Sequence, residues 1–483
     1  MPAMSERISK AFLTHHRICP DGTLPGGELS VAVTEDSLLE GLDAVSVAYD
    51  CPVATRIVGT DELDLLLARL TASAEGDVEV GPLDSRDGPL TSDIRDLANQ
   101  PPVVRYVNML IREAQAGGAS DIHLESTPRG LKARFRIDGV LGPALDPPAR
   151  LEHAVVSRVK LLADLDIAER RRPQDGRIRV QFADRELDLR ISTVPTIFGE
   201  SVVMRLLERG SGSIALETLG MPAPLLERVK HISRRTHGMI LVTGPTGSGK
   251  TTTLYAALGL RSTDREKILT LEDPVEYSLK GVTQVPVHQQ TGVTFASMLR
   301  SMLRQDPDVM LIGEMRDAET AELAIRAALT GHLVFSTLHT NDAAGAIPRL
   351  LDLGVPGYLI AATVHAVLAQ RLVRCICQHC RENYVPDSMV ATLLEESGGA
   401  PETYTRGVGC DACRGTGFRG RTGLFELLEI NDDVRAAIAR DPSTAGLSAL
   451  ALESGMRSLT VAGWAQVRAG VTTVEEVLRV TQQ

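Results

Sequence analysis

The clearest hydrophobic pattern lies in the second half of the chain, where short apolar runs alternate with stretches of helical periodicity. The runs occupy residues 239–243, 309–312 and 333–336. Continuous apolar runs of this length are typical of strands that are buried on both faces of a parallel sheet. Because helical stretches separate these strands, the pattern predicts an α/β domain over residues 211–483.

A different pattern precedes this domain. Residues 103–116 have the apolar spacing of a helix and are followed by two glycines. Residues 129–140 and 177–192 alternate apolar and charged side chains, as half-exposed strands do. We therefore expect a separate α+β domain over residues 101–210.

The N-terminal region is predicted to form a third, small α/β domain over residues 1–72. Residues 29–33 favour a short strand, and residues 61–70 have helical apolar spacing. Residues 73–100 are rich in Gly, Asp, Ser and Pro, which is typical of a linker. Several domains are also expected from the length, because 483 residues exceed what one compact core usually holds.

The negative charge of the chain is concentrated at its N-terminal end. The net charge is −11, from 51 basic and 62 acidic residues, and the first hundred residues hold seven basic and 18 acidic ones. The remainder is therefore balanced. Balanced charge and an aromatic content of 3% argue against a nucleic-acid partner, which favours basic surfaces and stacking rings. Without a long apolar run or a signal-like start, we expect a cytoplasmic protein.

The strongest chemical signal is a glycine-rich loop, Gly244-Pro-Thr-Gly-Ser-Gly-Lys-Thr251, between an apolar strand and a helix. Glycines let backbone N–H groups wrap phosphates, Lys250 would reach the β- and γ-phosphates, and the Thr251 hydroxyl would bind Mg²⁺. The alternative is a glycine turn that binds no nucleotide. The predicted ATP-binding residues are Gly244, Pro245, Thr246, Gly247, Ser248, Gly249, Lys250, Thr251 and Thr252.

Ionisable residues flank the other apolar strands. Glu272 and Glu314 each follow one, and carboxylates are what a P-loop enzyme needs for Mg²⁺ and for the attacking water. Ligands bind beyond the carboxyl ends of parallel strands, where both glutamates would lie. His332 precedes a third strand and His339 follows it, and His339 could sense the γ-phosphate. The alternative is that all four are ordinary solvated strand ends.

Four cysteines form two CxxC pairs with the spacing of a metal site. Each pair can supply one edge of a tetrahedral Zn²⁺ site, and four thiolates would make that zinc structural. Cys375 is spaced less well, His379 could replace one ligand, and buried free thiols are the alternative. The predicted ligands, in an insertion at about 374–415, are Cys377, Cys380, Cys410 and Cys413.

The order of these motifs resembles the secretion ATPase superfamily, the motors of type II secretion and type IV pili. The P-loop is followed by TLEDPVEY, RQDPDVMLIGEMRDAET and TGHLVFSTLHTNDA, which match the family's Asp box, Walker B and His box. The resemblance implies a hexameric, Mg²⁺-dependent ATPase with a RecA-like P-loop core and a preceding PAS-like domain. It implies that Glu272 activates water, that Glu314 holds Mg²⁺ through water, and that His332 and His339 form the His box.

The preceding domain carries the resemblance too, in ASDIHLE, PQDGRI and GESVVMRLL. In the family, arginines of this domain reach the phosphates, and Arg177 and Arg190 are our candidates. Guanidinium groups suit the charge of a transferring phosphoryl group, although exposed strand arginines are the alternative. A hinge at 211–220, with Gly210, Gly212 and Gly220 nearby, would let the domains swing.

The resemblance also implies partners and a direction of action. The tetracysteine element occurs in motors that assemble rather than retract, which favours a type II secretion motor over a type IV pilus extension motor. The expected partners are five further copies in a homohexamer, a polytopic platform protein and an inner-membrane platform protein whose cytoplasmic domain binds residues 1–100. A zinc-ribbon helicase and a nucleotide-gated adaptor without catalysis are the other classes that the motifs leave open.

Overall fold

The computed structural model describes most of the chain after residue 97. The described residues are 98–182, 185–208, 214–287, 293–385, 404–440 and 442–482, together with residues 13, 16–23, 28–34, 42, 45–46, 51–60, 62–64 and 66–67. The linker predicted at 73–100 lies outside the described residues except for its last three residues. Gly210 and Gly212 of the predicted hinge also lie outside the described residues. The chain divides into two compact units, Met1–Asp84 with Arg179–Glu186, and Ser85–Ile178 with Leu187–Gln483. The finer domain boundaries stay predictions.

The first unit contains a small sheet. Its strands are β1 (Ile18–Thr23), β2 (Leu29–Val33) and β3 (Val53–Ile57). Strand β2 pairs antiparallel with β1 and parallel with β3, and it occupies the segment predicted as a strand. Ile18, Val31 and Val33 are buried in its core.

A six-stranded sheet with order β6-β5-β4-β9-β8-β7 opens the second unit. Helix α1 turns Val103, Val107 and Leu110 inward, as its apolar spacing predicts. The elements of this region are α1 (Pro101–Ala116), β4 (Ala119–Thr127), β5 (Gly130–Ile137), β6 (Val140–Pro143), α2 (Glu152–Leu162), β7 (Gln174–Phe182), β8 (Arg185–Thr196) and β9 (Gly199–Glu208).

A seven-stranded sheet, β12-β11-β13-β14-β10-β15-β18, forms the centre of the second unit. Strands β16 and β17 form a separate two-stranded antiparallel sheet near the cysteines. The helices and strands of this region are α3 (Ala223–Ser233), β10 (Gly238–Thr243), α4 (Lys250–Leu258), β11 (Ile268–Glu272), β12 (Thr283–Pro286), α5 (Phe295–Met302), β13 (Val309–Ile312), α6 (Ala318–Leu329), β14 (Leu333–Leu338), α7 (Ala346–Asp352), α8 (Gly357–Thr363), β15 (Val364–Ile376), β16 (Arg381–Tyr384), β17 (Tyr404–Gly407), β18 (Phe418–Glu429), α9 (Asp432–Arg440), α10 (Thr444–Glu453), α11 (Leu459–Arg468) and α12 (Val474–Thr481).

Both faces of this sheet are buried, which explains the continuous apolar runs. In β10, Met239 and Leu241 belong to the core on one face, whereas Ile240 and Val242 belong to the core on the other. The pairs from β12 to β15 are parallel, and β18 is antiparallel to β15. The predicted mixed α/β class and the buried strands at 239–243, 309–312 and 333–336 are confirmed. Strands β10, β11, β13 and β14 therefore end at the same edge of the sheet.

Searching the described part of the chain reveals no helix with the length and apolar character needed to cross a bilayer.

Candidate nucleotide site and metal centre

The glycine-rich loop joins the end of β10 to the start of α4. Gly244 and Gly249 have φ angles of +147° and +86°, which side chains with a Cβ rarely adopt. A Cβ on Gly244 would also lie 2.4 Å from the carbonyl oxygen of Gln370, and one on Gly249 would lie 2.8 Å from its Nε2. The loop thus needs glycine at both positions because β15 packs directly against it.

The Lys250 ammonium points back into this loop. Its Nζ donates hydrogen bonds to the carbonyl oxygens of Gly244, at 2.7 Å, and Pro245, at 3.0 Å. Burial lowers the pKa of Lys250 to about 8, although the nearby Glu314 carboxylate opposes the shift. The ammonium is therefore held at the mouth of the loop, where phosphates would bind.

Glu314 and His339 lie beside Lys250 at the carboxyl edge of the sheet. The Nε2 atom of His339 is 3.5 Å from Oε2 of Glu314, and Nε of Arg316 is 2.7 Å from the same oxygen. Burial, and then the Lys250 charge, lowers the pKa of His339, so its ring is neutral at pH 7. The sequence predicted that Glu314 and His339 lie at this edge of the sheet, and in the structure the two side chains are adjacent.

His332 lies at the opposite end of the same strand, about 20 Å away at the usual rise per residue. Its Nδ1 is 3.0 Å from the carbonyl oxygen of Ala327 and 3.2 Å from Oγ1 of Thr330. His332 therefore interacts with the C-terminal end of α6, and the structure does not bring it to the nucleotide loop.

Glu272 also ends its strand at the carboxyl edge, but its carboxylate is enclosed. Its side chain is buried, and its oxygens accept hydrogen bonds from the Tyr255 hydroxyl, from Oγ1 of Thr270 at 2.5 Å and from Nε2 of Gln284 at 3.3 Å. Burial, and then the bond to Glu272, raises the pKa of Tyr255, so the phenol stays protonated and acts as the donor.

Glu272 and Glu314 lie on neighbouring strands. The backbone N–H of Gly313, the residue before Glu314, donates to the carbonyl oxygen of Leu271 at 2.8 Å. A Cβ on Gly313 would lie 3.4 Å from the Cα of Glu272. The two acidic motifs are therefore adjacent along the edge.

The six-stranded sheet presents Arg190 toward the Asp box. Arg190 is half-buried, and burial lowers its pKa while the Glu276 carboxylate raises it. Arg177 lies close enough to lower the pKa of Arg190 further, and its own side chain is exposed. The neighbouring Arg205 is held by Oδ1 of Asp121 at 2.9 Å. The structure thus brings Arg190 near the acidic motif and Arg177 near Arg190.

Two residues beneath the loop were missed by sequence reasoning. Gln370 accepts a hydrogen bond from Oγ1 of Thr253 at 2.7 Å, and Arg371 donates to the carbonyl oxygens of Asn341, at 2.9 Å, and Val480, at 3.2 Å. Both side chains are buried. The available signal was a Gln-Arg pair at the centre of the largely apolar β15, because buried polar groups need partners.

The four predicted cysteine ligands converge. Their sulfur atoms all lie within 4.8 Å of one another, with separations of 3.9 Å, 3.8 Å and 3.7 Å for three of the pairs. Tetrahedral Zn²⁺ with bonds of about 2.3 Å requires sulfur atoms about 3.8 Å apart, so the residues present fit the metal. Within the described part of the chain, Cys375 and His379 stand outside this group.

Backbone groups prepare the cluster for a cation. Burial by itself would raise the pKa of Cys413, but N–H groups of Cys410 and Gly417, 3.1 Å and 3.2 Å from its sulfur, outweigh burial and lower it. Burial raises the pKa of Cys380, and the N–H of Gly409, 3.3 Å from its sulfur, opposes that shift. Such donors stabilise thiolate, the form that binds metals.

The sequence of this chain is similar to those of known proteins. Residues 96–479 match the family described as Type II/IV secretion system protein. Type II secretion system protein HxcR of Pseudomonas aeruginosa is 46% identical over 441 residues, which cover 89% of this chain and 90% of the relative. Type II secretion system protein E of Xanthomonas campestris is 45% identical over 98% of this chain and 85% of the relative.

Solved structures agree at the level of the fold. The pilus retraction motor PilT with bound ADP has a TM-score of 0.53 and 28% identity, covering 77% of this chain and 96% of that one. The ATPase DotB of Yersinia pseudotuberculosis has a TM-score of 0.60 at 18% identity, covering 84% and 99%.

The fold and the loop define a mixed α/β protein of the secretion ATPase class. The chain belongs to the Type II/IV secretion system protein family. The resemblance that the sequence motifs indicated is therefore confirmed.

Proposed function

We propose that this chain is the ATP-hydrolysing motor of a type II secretion system. The observation that carries the proposal is the convergence of Lys250, Glu314 and His339 at the carboxyl edge of the sheet. Relatives spanning most of the chain support the choice of system, since one from Vibrio cholerae is described as a type II secretion system ATPase E.

The residues divide the work of phosphoryl transfer. The glycine-rich loop and Lys250 bind the phosphates, and Glu272 accepts a proton from the attacking water or orients it. Thr251 and Glu314 would hold Mg²⁺, which supplies charge neutralisation at the β- and γ-phosphates when bound. Arg190 and Arg177 would stabilise charge that develops on the transferred group.

The cysteine cluster would hold Zn²⁺ in a structural role. Four sulfur ligands at tetrahedral spacing leave no open position for a substrate. Zinc would therefore fix the geometry of the segment around β16 and β17 without taking part in hydrolysis.

The motor would act as a homohexamer on the cytoplasmic face of the inner membrane and drive pseudopilus assembly. Residues 1–100 would bind the cytoplasmic part of an inner-membrane platform protein, and a polytopic platform protein would receive the motion. Because these residues carry 18 acidic and seven basic groups, we expect a basic partner surface and weaker docking at higher salt.

The variant Glu272→Gln tests the catalytic assignment. It keeps the size of the side chain and removes its basicity, so we expect ATP binding within a fewfold of the wild type and loss of nearly all steady-state turnover. Phosphate release and nucleotide binding are measured on the same preparation. Undiminished hydrolysis in this variant would refute the assignment.

A further inference from the structure

The Glu272 carboxylate has a defined set of hydrogen-bond positions. A carboxylate offers about four acceptor positions, two on each oxygen. Thr270 and Gln284 both donate to Oε1, and Tyr255 donates to Oε2. Among the residues that the structure describes, the position without a hydrogen-bond donor is on Oε2, so we expect that oxygen to be the one that a water molecule would contact.

The donor on Oε2 comes from the helix that begins at the nucleotide loop. Tyr255 follows Lys250 by five residues in α4 (Lys250–Leu258), and its side chain is buried. A helix of this length moves as a unit, so the loop that would bind phosphate and the hydroxyl that holds Oε2 are rigidly connected.

A neighbouring strand closes the arrangement. Nε2 of Gln284 lies 3.3 Å from the Tyr255 hydroxyl, 3.3 Å from Oε1 of Glu272 and 3.0 Å from the carbonyl oxygen of Tyr277. Gln284 is itself held by the N–H of Leu279, which donates to Oε1 of Gln284 at 2.6 Å. Hydroxyl, amide and carboxylate therefore fix one another, and the carboxylate plane has one orientation.

We propose that Tyr255 is a positioning residue whose hydrogen bond orients Glu272 so that the free lone pair of Oε2 faces the attacking water. Because Tyr255 lies on the helix that begins at the phosphate-binding loop, it also links the orientation of Glu272 to that loop. This inference rests on the proposed role of Glu272 as the residue that activates water. Tyr255 itself does not touch the reacting atoms, and it acts through Glu272.

The test is steady-state ATP hydrolysis by the full chain with the substitution Tyr255→Phe, with ATP and Mg²⁺ varied and pH scanned. We expect kcat to fall about tenfold, with KM for ATP and ADP affinity within twofold of the wild type. Because a donor to the ionised carboxylate is lost, we also expect the acidic limb of the pH–rate profile to move to higher pH.

Tyr277→Phe is the matched control. The Tyr277 ring lies edge-on to the Tyr255 ring with centroids 4.7 Å apart, and its hydroxyl has no hydrogen-bond partner among the residues that the structure describes. The same atom is thus removed from the same aromatic pair, and we expect kcat and the pH profile to stay within twofold of the wild type.

A wild-type kcat and pH profile in Tyr255→Phe, a higher kcat, or equal losses in both Phe variants would overturn the proposal. If Tyr255→Phe fails to bind ADP, Gln284→Met carries the test, with a smaller loss of kcat and the same shift of the acidic limb expected. The variant Glu272→Gln distinguishes failure of the two proposals. Full turnover in Glu272→Gln would refute the role of Glu272. Loss of turnover in Glu272→Gln together with unchanged turnover in Tyr255→Phe would refute only the role of Tyr255.

Discussion

The imidazole of His339 lies beside the carboxylate of Glu314, with Nε2 3.5 Å from Oε2. Burial, and then the Lys250 charge, lowers the pKa of His339, so the neutral ring can donate one N–H to Glu314. At this separation the ring N–H is a weak donor toward the carboxylate, and the contact orients Glu314 without forming a strong ion pair.

Replacing His339 with Ala should lower kcat about tenfold, because a hydrogen bond to a charged group contributes about 1.5–3 kcal/mol and a contact this long lies at the lower end of that range. His332→Ala, at the other end of the same strand, is the control and should retain turnover if the protein stays folded. Phosphate release at pH 7.5 measures both. Equal losses in the two variants at equal thermal stability would contradict the orienting role of His339.

Nucleotide binding should take up protons near pH 8. Burial lowers the pKa of Lys250 to about 8, and bound phosphates would stabilise its charged form and raise that pKa. Affinity for ADP should therefore be highest below pH 8 and decrease as the pH rises toward 9.5. Calorimetry in buffers of different ionisation enthalpy measures the uptake. Lys250→Arg, which stays charged, should abolish it, and a pH-independent wild-type affinity would contradict the prediction.

Removing the metal should loosen the contact between the cysteine segment and α1. Arg414, next to Cys413, donates from Nη2 to the carbonyl oxygen of Glu113 at 3.1 Å, and its guanidinium packs on Gly117. The purified chain should contain about one zinc ion, and a chelator should lower its melting temperature and increase amide exchange at the end of α1.

Cys410→Ser should reproduce the effect of the chelator, whereas Cys375→Ser, outside the cluster, should keep the metal. Metal content by mass spectrometry and melting curves distinguish the two variants. A zinc-free chain with unchanged stability would contradict this prediction.

The last helix should be released at acidic pH. Burial would raise the pKa of Glu476, but hydrogen bonds from Arg479 and Arg374 outweigh it and lower the pKa to about 2. A carboxylate with a lowered folded-state pKa stabilises the protein above the unfolded value of about 4.3 and loses that contribution as the pH falls toward 2.

At neutral pH Glu476→Gln should cost about 3 kcal/mol of unfolding free energy, the equivalent of that pKa difference. Denaturant unfolding at pH 7 and pH 3 measures it, and the difference between wild type and variant should shrink at the lower pH. The neighbouring Glu475, which is exposed, provides the control as Glu475→Gln. A variant deficit that does not depend on pH would contradict the assignment.

The sequence by itself determined the elements and the chemistry that sit on single strands. Residues 239–243, 309–312 and 333–336 are apolar except for Thr243 and Ser336, because both faces of their sheet are buried, and the same runs identify the strands. Lys250, Glu314 and His339 follow such strands, and parallel pairing alone places their ends at one edge. The paired CxxC motifs likewise predicted the four sulfurs that converge, although they left His379 open as a replacement ligand.

Only the tertiary structure decided which side chains meet across elements. Tyr255 reads as one aromatic residue in an ordinary helix, and its bond to Glu272 depends on how α4 crosses β11. In the sequence, Gln370 is one of several polar residues in a largely apolar strand, and its place under the loop depends on β15 lying beside β10. Local spacing specifies helices and strands, whereas packing between segments distant in sequence selects the partners of buried polar groups, because each such group must find a hydrogen bond wherever the fold supplies one.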